Sequence, residues 1–586
     1  MGLCKKCAQL LEDFNVLVKR AAADFVQRFK ECVKRISQCC CTRTSSASKK
    51  ATYHHPLLQP HERRAAQKLT QCIDTGSETA LLSNDCLRAL KVSSASENNE
   101  LQQSAAAYYL HLSQHITAPL PVSYLEPYRT LFRSSDLEVQ RVTSLSLVNL
   151  LMEGKIKNEL VIEMDFLEPL QDMLQSGDPT IQYNSCACIA LLASSDSNRE
   201  AIVSSDCVLP LLVLAKSLDT RVQQNAVRAL LNLTESENTM RALCEEGVIP
   251  VLAILLLSTD SEVQFYSCCA LNKIAAVPKY HPRMLCIGDH FLLKSLISLM
   301  SSSVQRNSSQ ACQCLWSLSK NVNAQQQLMD LNCVSVLLEL LGSPALSLSE
   351  SAGMLLSELS SCPTNRESLV NECLLQNVGE VLFRCQSSTA VMRHCTIIIT
   401  NLCSISSGQQ ALMDSDCLSG LLKALESDFI TDESLLCVLS CLHYLAGLDA
   451  LRSHVQTNIT SGHIASLVRL SDQMANADLS FAAASVVSKL ETEGRVAQLL
   501  LPHQSSITAF ILRFLRSQEV KLQQLGIVTV CNLKKGGVFE SVTCGKELEN
   551  ELFRLQQQTE QTRQLLQMVD LPSAGPTDTW VPKNKH

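Results

Sequence analysis

One twelve-residue stretch recurs along this chain, and that recurrence constrains the fold more than any other feature. At 222–233 it reads VQQNAVRALLNL. Written as a helix, it places Val222, Ala226, Ala229, Leu230 and Leu233 on one apolar face. Gln224, Arg228 and Asn232 recur every fourth residue and form a polar ridge. Its closing residue returns at Leu150, Leu192, Leu233, Ile274, Leu318, Leu359, Leu402, Leu445, Leu490 and Leu533, at intervals of 41 to 45 residues. A weaker copy, LQQSAAAYYLHL, occupies 101–112.

A period of about 40–47 residues marks helical solenoids of the armadillo or HEAT type. Between marks the order of parts is constant. A polar break such as SDSNRE (195–200) or SENTMR (236–241) opens a short helix. A small or polar residue follows, then an apolar helix carrying Pro169, Pro210 or Pro250 in its first turn, where the missing N–H costs little. A loop such as SGDPT (176–180) then leads into the marked helix. That makes three helices per repeat where HEAT has two. The expected fold is all-α, a right-handed superhelical solenoid of armadillo repeats, with roughly 11 repeats over 61–535. Regularity falls in the second half, and the helix near Leu445 has no Asn before its mark.

A chain of 586 residues would ordinarily divide into several domains, but stacked repeats bury their core against one another. Aromatic content is 4%, which leaves Leu, Ala, Val, Ile and Cys to fill that core. Many of the 28 Cys lie on apolar helix faces, Cys186, Cys188, Cys312 and Cys314 among them, where Cys acts as a small hydrophobe. With no secretory signal, the folded body is expected to be cytosolic and its thiols reduced. No uncharged apolar run is long enough to suggest a transmembrane helix.

Charge is distributed unevenly. Residues 1–50 hold eleven Lys and Arg against four Asp and Glu, a formal +7, so the remainder carries −14 within a total of −7. A basic head on an acidic body argues against nucleic acid as a partner and suits attraction to an anionic membrane.

The chain opens MGLCKKC. Gly2 can accept a myristoyl chain once Met1 is removed, although Lys6 stands where the usual motif has Ser or Thr. One acyl chain binds membranes marginally, so Cys4 and Cys7 are expected to supply palmitoyl anchors. Residues 8–36 read as a long amphipathic helix, with Leu11, Phe14, Val18, Ala22, Phe25, Phe29, Val33 and Ile36 on one side. It would lie in a membrane interface or pack on another helix. Cys39, Cys40 and Cys41 follow as a second acylation cluster; three adjacent cysteines suit one tetrahedral metal site poorly. The expected organisation is an acylated basic N-terminus at 1–43, a flexible linker at 44–60, the solenoid at 61–535, a C-terminal capping helix within 536–570 and a disordered tail at 571–586.

The segment 221–275, RVQQNAVRALLNLTESENTMRALCEEGVIPVLAILLLSTDSEVQFYSCCALNKIA, resembles the fungal vacuolar armadillo family, as do the MGLCKKC start and ITAFILRFLRS at 507–517. The resemblance implies a lipid-anchored scaffold on the cytosolic face of a vacuole or lysosome membrane, recruiting partners for organelle contact, inheritance and autophagy-related delivery. It also implies a concave groove lined by the third helices, in which an Asn before each mark holds the backbone of an extended partner segment. Asn149, Asn232, Asn401 and Asn532 match that position. Lys273, Ser317, Glu358, Lys489 and Leu191 replace it elsewhere, so the Asn ladder is broken and import-receptor behaviour is not expected. Arg141, Arg221, Arg228 and Arg393 flank it and would suit acidic or phosphorylated partners. The expected groove set is Asn149, Arg228, Asn232, Lys273, Arg393, Asn401 and Asn532.

No phosphate loop, nucleotide-binding turn or paired metal motif appears, so neither enzymatic activity nor a cofactor is expected. The alternative to an anchored scaffold is a soluble adaptor of the catenin or importin sort. Repeat arrays also dimerise, and the sequence leaves that open.

Overall fold

The polar residues that punctuate the repeats turn out to be the corners of the structure. In the computed structural model, which describes residues 58–427, 430–473, 475–490, 494–535, 546–555 and 557–569, all secondary structure is helical. The longest helices are the marked ones. They are α1 (Asn99–His115), α2 (Leu137–Met152), α3 (Pro179–Leu192), α4 (Thr220–Leu233), α5 (Ser261–Ala275), α6 (Gln305–Ser319), α7 (Leu346–Ser361), α8 (Thr389–Leu402), α9 (Asp432–Gly447), α10 (Ala477–Val487) and α11 (Val520–Lys535). Two shorter helices precede each as a rule; Asp196–Ser204 and Val208–Leu214 come before α4, for example. Three helices per module is the armadillo arrangement. The chain divides into two compact units, Met1–Ser295 and Leu296–His586, and within each the long helices stack on their successors.

The corner into several of the long helices is fastened by a recurring set of bonds. Ser176 Oγ accepts the N–H of Asp178 at 3.2 Å, and Asp178 in turn accepts the N–H groups of Thr180 and Ile181 as the N-cap of α3. Gln182 then reaches back, its Nε2 donating to the Ser176 carbonyl at 2.6 Å. The same three roles fall to Ser134, Asp136 and Gln140, and to Ser258, Asp260 and Gln264. In the second unit α11 keeps the Gln, with Gln523 Nε2 donating to the Ser517 carbonyl at 2.7 Å, whereas α6 and α7 use a Ser in its place. Ser308 Oγ donates to the Ser302 carbonyl and Ser349 Oγ to the Ser343 carbonyl, each six residues back.

The corner out of α3, α6, α7 and α8 is closed from the next short helix. Carbonyls in the last turn of a helix have no partner within it. Arg199 is 8% exposed and donates from Nε to the Ala193 carbonyl at 2.9 Å. Gln325 serves Ser319, Arg366 serves Ser360 and Gln409 serves Cys403, each across six residues. Between the two short helices the chain turns through one left-handed residue: Asp165, Asp206, Gly247, Asn332 or Cys373, with φ of 57°, 54°, 85°, 54° and 58°. Gly, Asn and Asp tolerate this region, whereas Cys373 is strained there.

Leu, Ala, Val, Ile and Cys fill the core, as the composition implies. The first modules add an aromatic cluster: Tyr109 stacks on Tyr128 at 4.1 Å, and Phe132 meets Phe166 edge-on at 5.2 Å. Tyr108 and Tyr109 satisfy their hydroxyls on the carbonyls of Leu81 and Tyr124.

Three sequence expectations need correction. The single helix expected over 546–569 is two helices, Lys546–Arg554 and Glu560–Gln567, because Thr559 caps the second by accepting the N–H of Thr562. Leu490 lies in the turn after α10 and not within it, although it is still buried. Cys72 and Cys86, expected as reduced thiols, are joined by a disulfide between helices Pro60–Thr75 and Asn84–Ser94, whose buried faces bring the two sulfurs together. The N-terminal segment and most of the linker lie outside the described residues, as does the tail at 571–586. No described helix is long and apolar enough to cross a membrane.

Candidate functional site

Several long helices, α4 and α8 among them, leave one ridge accessible, whereas α1 is buried from Ser104 to Ser113. On α4 that ridge runs Arg221, Asn225, Arg228, Asn232, at helical spacing. On α8 it runs Arg393, Ile397, Asn401.

The four Asn residues share one role. Each turns its side-chain amide towards the preceding long helix. Asn232 Nδ2 donates to the Ala190 carbonyl at 2.7 Å, in the last turn of α3. Asn401 Nδ2 meets Ser360 Oγ at 3.0 Å and Ser361 Oγ at 3.3 Å. Asn532 donates to the Ser488 carbonyl. Asn149, 8% exposed, donates to Ser113 Oγ at 3.2 Å. The charged positions also bridge modules. Lys273 pairs with Glu235, and Arg393 with Glu433. Arg228 is half-exposed and forms no ion pair among the described residues. Gly2, Cys4, Cys7, Cys39, Cys40 and Cys41 lie outside the described residues.

Between α8 and α9 the ridge borders an open pocket of about 390 Å³. Ile397, Leu436, Cys437 and Cys441 give it an apolar floor, with Arg393 and Asn401 on its rim. Ile397 is 38% exposed. Sequence reasoning overlooked Ile397, although its spacing of four from both Arg393 and Asn401 places it on the same ridge. Burial pushes the Cys441 thiol up to about 12, offset in part by the Thr400 hydroxyl bonded to it, so this sulfur is a packing group.

Residues 195–235 and 241–276 match the Armadillo/beta-catenin-like repeat family. Vacuolar protein 8 of Schizosaccharomyces pombe is 34% identical over 491 residues, which is 83% of this chain and 88% of that one. The chain belongs to the vacuolar protein 8 family. Vacuolar protein 8 of Komagataella pastoris is 37% identical over 109 residues, a match spanning 19% of each chain. Among solved structures, a crystal structure of an engineered protein aligns with a TM-score of 0.59 at 22% identity, covering 70% of this chain and 99% of that one. A structure from work on a phosphorylation switch controlling the interaction between cadherin and beta-catenin aligns equally well, with a TM-score of 0.59 at 14% identity over 82% of this chain and 98% of that one. At these identities the likeness speaks for the armadillo fold. The accessible ridges of the long helices are the candidate site of this chain. On α4 they offer amides and guanidinium groups, and on α8 an amide, a guanidinium group and a shallow apolar pocket.

Proposed function

We propose that this chain is a non-enzymatic, lipid-anchored scaffold that holds partner proteins as extended segments along the ridges of its long helices. It would do so on the cytosolic face of a vacuole- or lysosome-like membrane, in the service of organelle contact, inheritance or autophagy-related delivery. The observation that carries this reading is the 34% identity to the fission-yeast vacuolar protein along 491 residues. The N-terminal sequence supports it. Gly2, Cys4 and Cys7 supply two acylation signals, and Lys5 and Lys6 lie beside them. An open ridge carrying polar groups suits an extended backbone better than it suits a small molecule.

Membrane fractionation of the wild-type chain beside Gly2→Ala and a Cys4→Ser/Cys7→Ser double variant tests the anchor, with imaging to identify the organelle. The wild type is expected to pellet with membranes and both variants to become soluble. If all three stay soluble, the anchored reading fails and a soluble adaptor takes its place. If the variants still pellet, attachment comes from residues 8–41.

A further inference from the structure

The five long helices of the first unit carry four Lys and Arg residues: Arg141, Arg221, Arg228 and Lys273. Three of them are neutralised within the fold. Arg141 bridges Glu138 at 2.9 Å and Asp178 at 2.5 Å, Arg221 is held by Asp219 at 2.9 Å, and Lys273 pairs with Glu235. Arg228 is the remaining one, and among the described residues no carboxylate pairs with it.

Its surroundings are also set for an anion. On the same ridge of α4, the Asn225 side chain hydrogen-bonds the hydroxyl of Tyr183, which projects from α3. The Arg221 guanidinium stands over the Tyr183 ring, 5.8 Å from its centroid, and Arg228 also lies within electrostatic reach of Tyr183. Tyr183 is therefore flanked by two guanidinium groups, one spent on Asp219 and one unspent. On the following helix, α5, Phe265 and Tyr266 are half-exposed, with ring centroids 5.9 Å apart. A lone guanidinium on an open surface can be merely solvated. What sets Arg228 apart is a single unmatched positive charge beside a fixed amide and phenol, where its counterparts are all paired.

We propose that Arg228, with Asn225 and Tyr183, is the subsite that takes one carboxylate side chain from an acidic, extended partner segment. The proposal rests on the groove reading above. Charge matching favours a carboxylate over a phosphate: one free guanidinium balances one negative charge, and a dianion would stay half-compensated where the other cations of these helices are already paired. A guanidinium–carboxylate contact of this kind sets the position of a bound segment as well as adding affinity.

The test selects binders for the full-length chain from a display library of random twelve-residue peptides, then measures the enriched peptides by fluorescence anisotropy against wild type, Arg228→Gln and Arg228→Glu. Enriched peptides should carry Asp or Glu at one fixed position and bind Arg228→Gln about tenfold more weakly, with unchanged far-UV circular dichroism. Arg228→Glu should prefer the same peptides with Lys at that position. Enriched peptides that bind Arg228→Gln as well as wild type, but lose affinity for Asn401→Ala or Ile397→Ala, would sink this subsite and leave the groove reading standing. A phosphoserine at the fixed position binding more than tenfold tighter than Glu would reassign the subsite to phosphate and overturn the carboxylate proposal. No enrichment at all would overturn both.

Discussion

Asn232 and Ala190 lie 42 residues apart in sequence, and the side-chain amide of the first donates to the carbonyl of the second at 2.7 Å. The bond crosses from one long helix to the previous one and occupies a carbonyl that α3 leaves without a partner. Asn232→Ala removes a half-buried bond and leaves its acceptor unmatched, at an expected cost of about 1–2 kcal/mol in urea unfolding. Hydrogen exchange should quicken in the last turn of α3. Equal exchange in the two proteins would mean that the amide serves only the open ridge.

Arg199 closes the same helix end from the other side, donating to the carbonyls of Ala193 and Ser194 while nearly inaccessible. Arg199→Met should cost about 2 kcal/mol, because two carbonyls lose a charged donor. Arg133→Met, which breaks an exposed pair with Glu168, should leave the urea midpoint unchanged within error. Equal effects from the two changes would refute the capping role.

Cys373 holds a left-handed conformation at the corner where the first unit has Gly247. A Cβ there costs free energy that Gly avoids, so Cys373→Gly is expected to stabilise the protein by about 0.5–1 kcal/mol. A lower urea midpoint would show that the side chain supplies more than the corner loses.

His394 and His463 give the second unit a pH dependence of known sign. Burial holds both imidazoles below the usual His range; Arg393 adds to this at His394, while Glu350 and Glu426 partly oppose it. Each ring is thus kept neutral in the fold. The unfolded chain takes up protons first, near about pH 6.5. Their stabilising contribution is complete above that value and is lost as pH falls through the folded-state pKa. The wild-type urea midpoint should drop between pH 7.5 and 5.5, and a His394→Gln/His463→Gln double variant should flatten the drop. An identical slope in both proteins would assign the effect elsewhere.

Thiol reactivity should follow burial. Cys312, Cys333 and Cys417 are pushed up to about 12 by burial, whereas Cys286 and Cys373 are exposed. Brief treatment with N-ethylmaleimide at pH 7.5, read by peptide mass spectrometry, should label Cys286 and Cys373 well before the other three. Early labelling of Cys312 would mean that its module opens readily.

The recurrence of one helix was enough to derive the all-α armadillo fold, because burial against a neighbour forces the apolar face to repeat. Finer features depended on contacts that spacing does not report. The acceptor for Asn232 lies 42 residues upstream, so the ridge pattern located the side chain but not what it bonds. SDSNRE read as a polar break, yet its Arg199 is buried, since a helix end offers carbonyls that an apolar residue cannot satisfy. At the C-terminus the Leu spacing ran on through Thr559, and the cap that splits the segment went unnoticed. Ser308 and Ser349 do the work of Gln182 with a shorter side chain, so the motif fades in the second unit while its bond persists.

That interchange has a consequence for how such a chain can drift and be re-engineered. The corners into α2, α3, α5, α6 and α7 are closed by bonds that reach no more than about ten residues, so those bonds need no neighbouring repeat. The span between two such corners can then be lengthened or trimmed while the corners themselves are kept. The interval of 41 to 45 residues between marks is the trace of that freedom: the corners keep register, and the spans between them are free to vary.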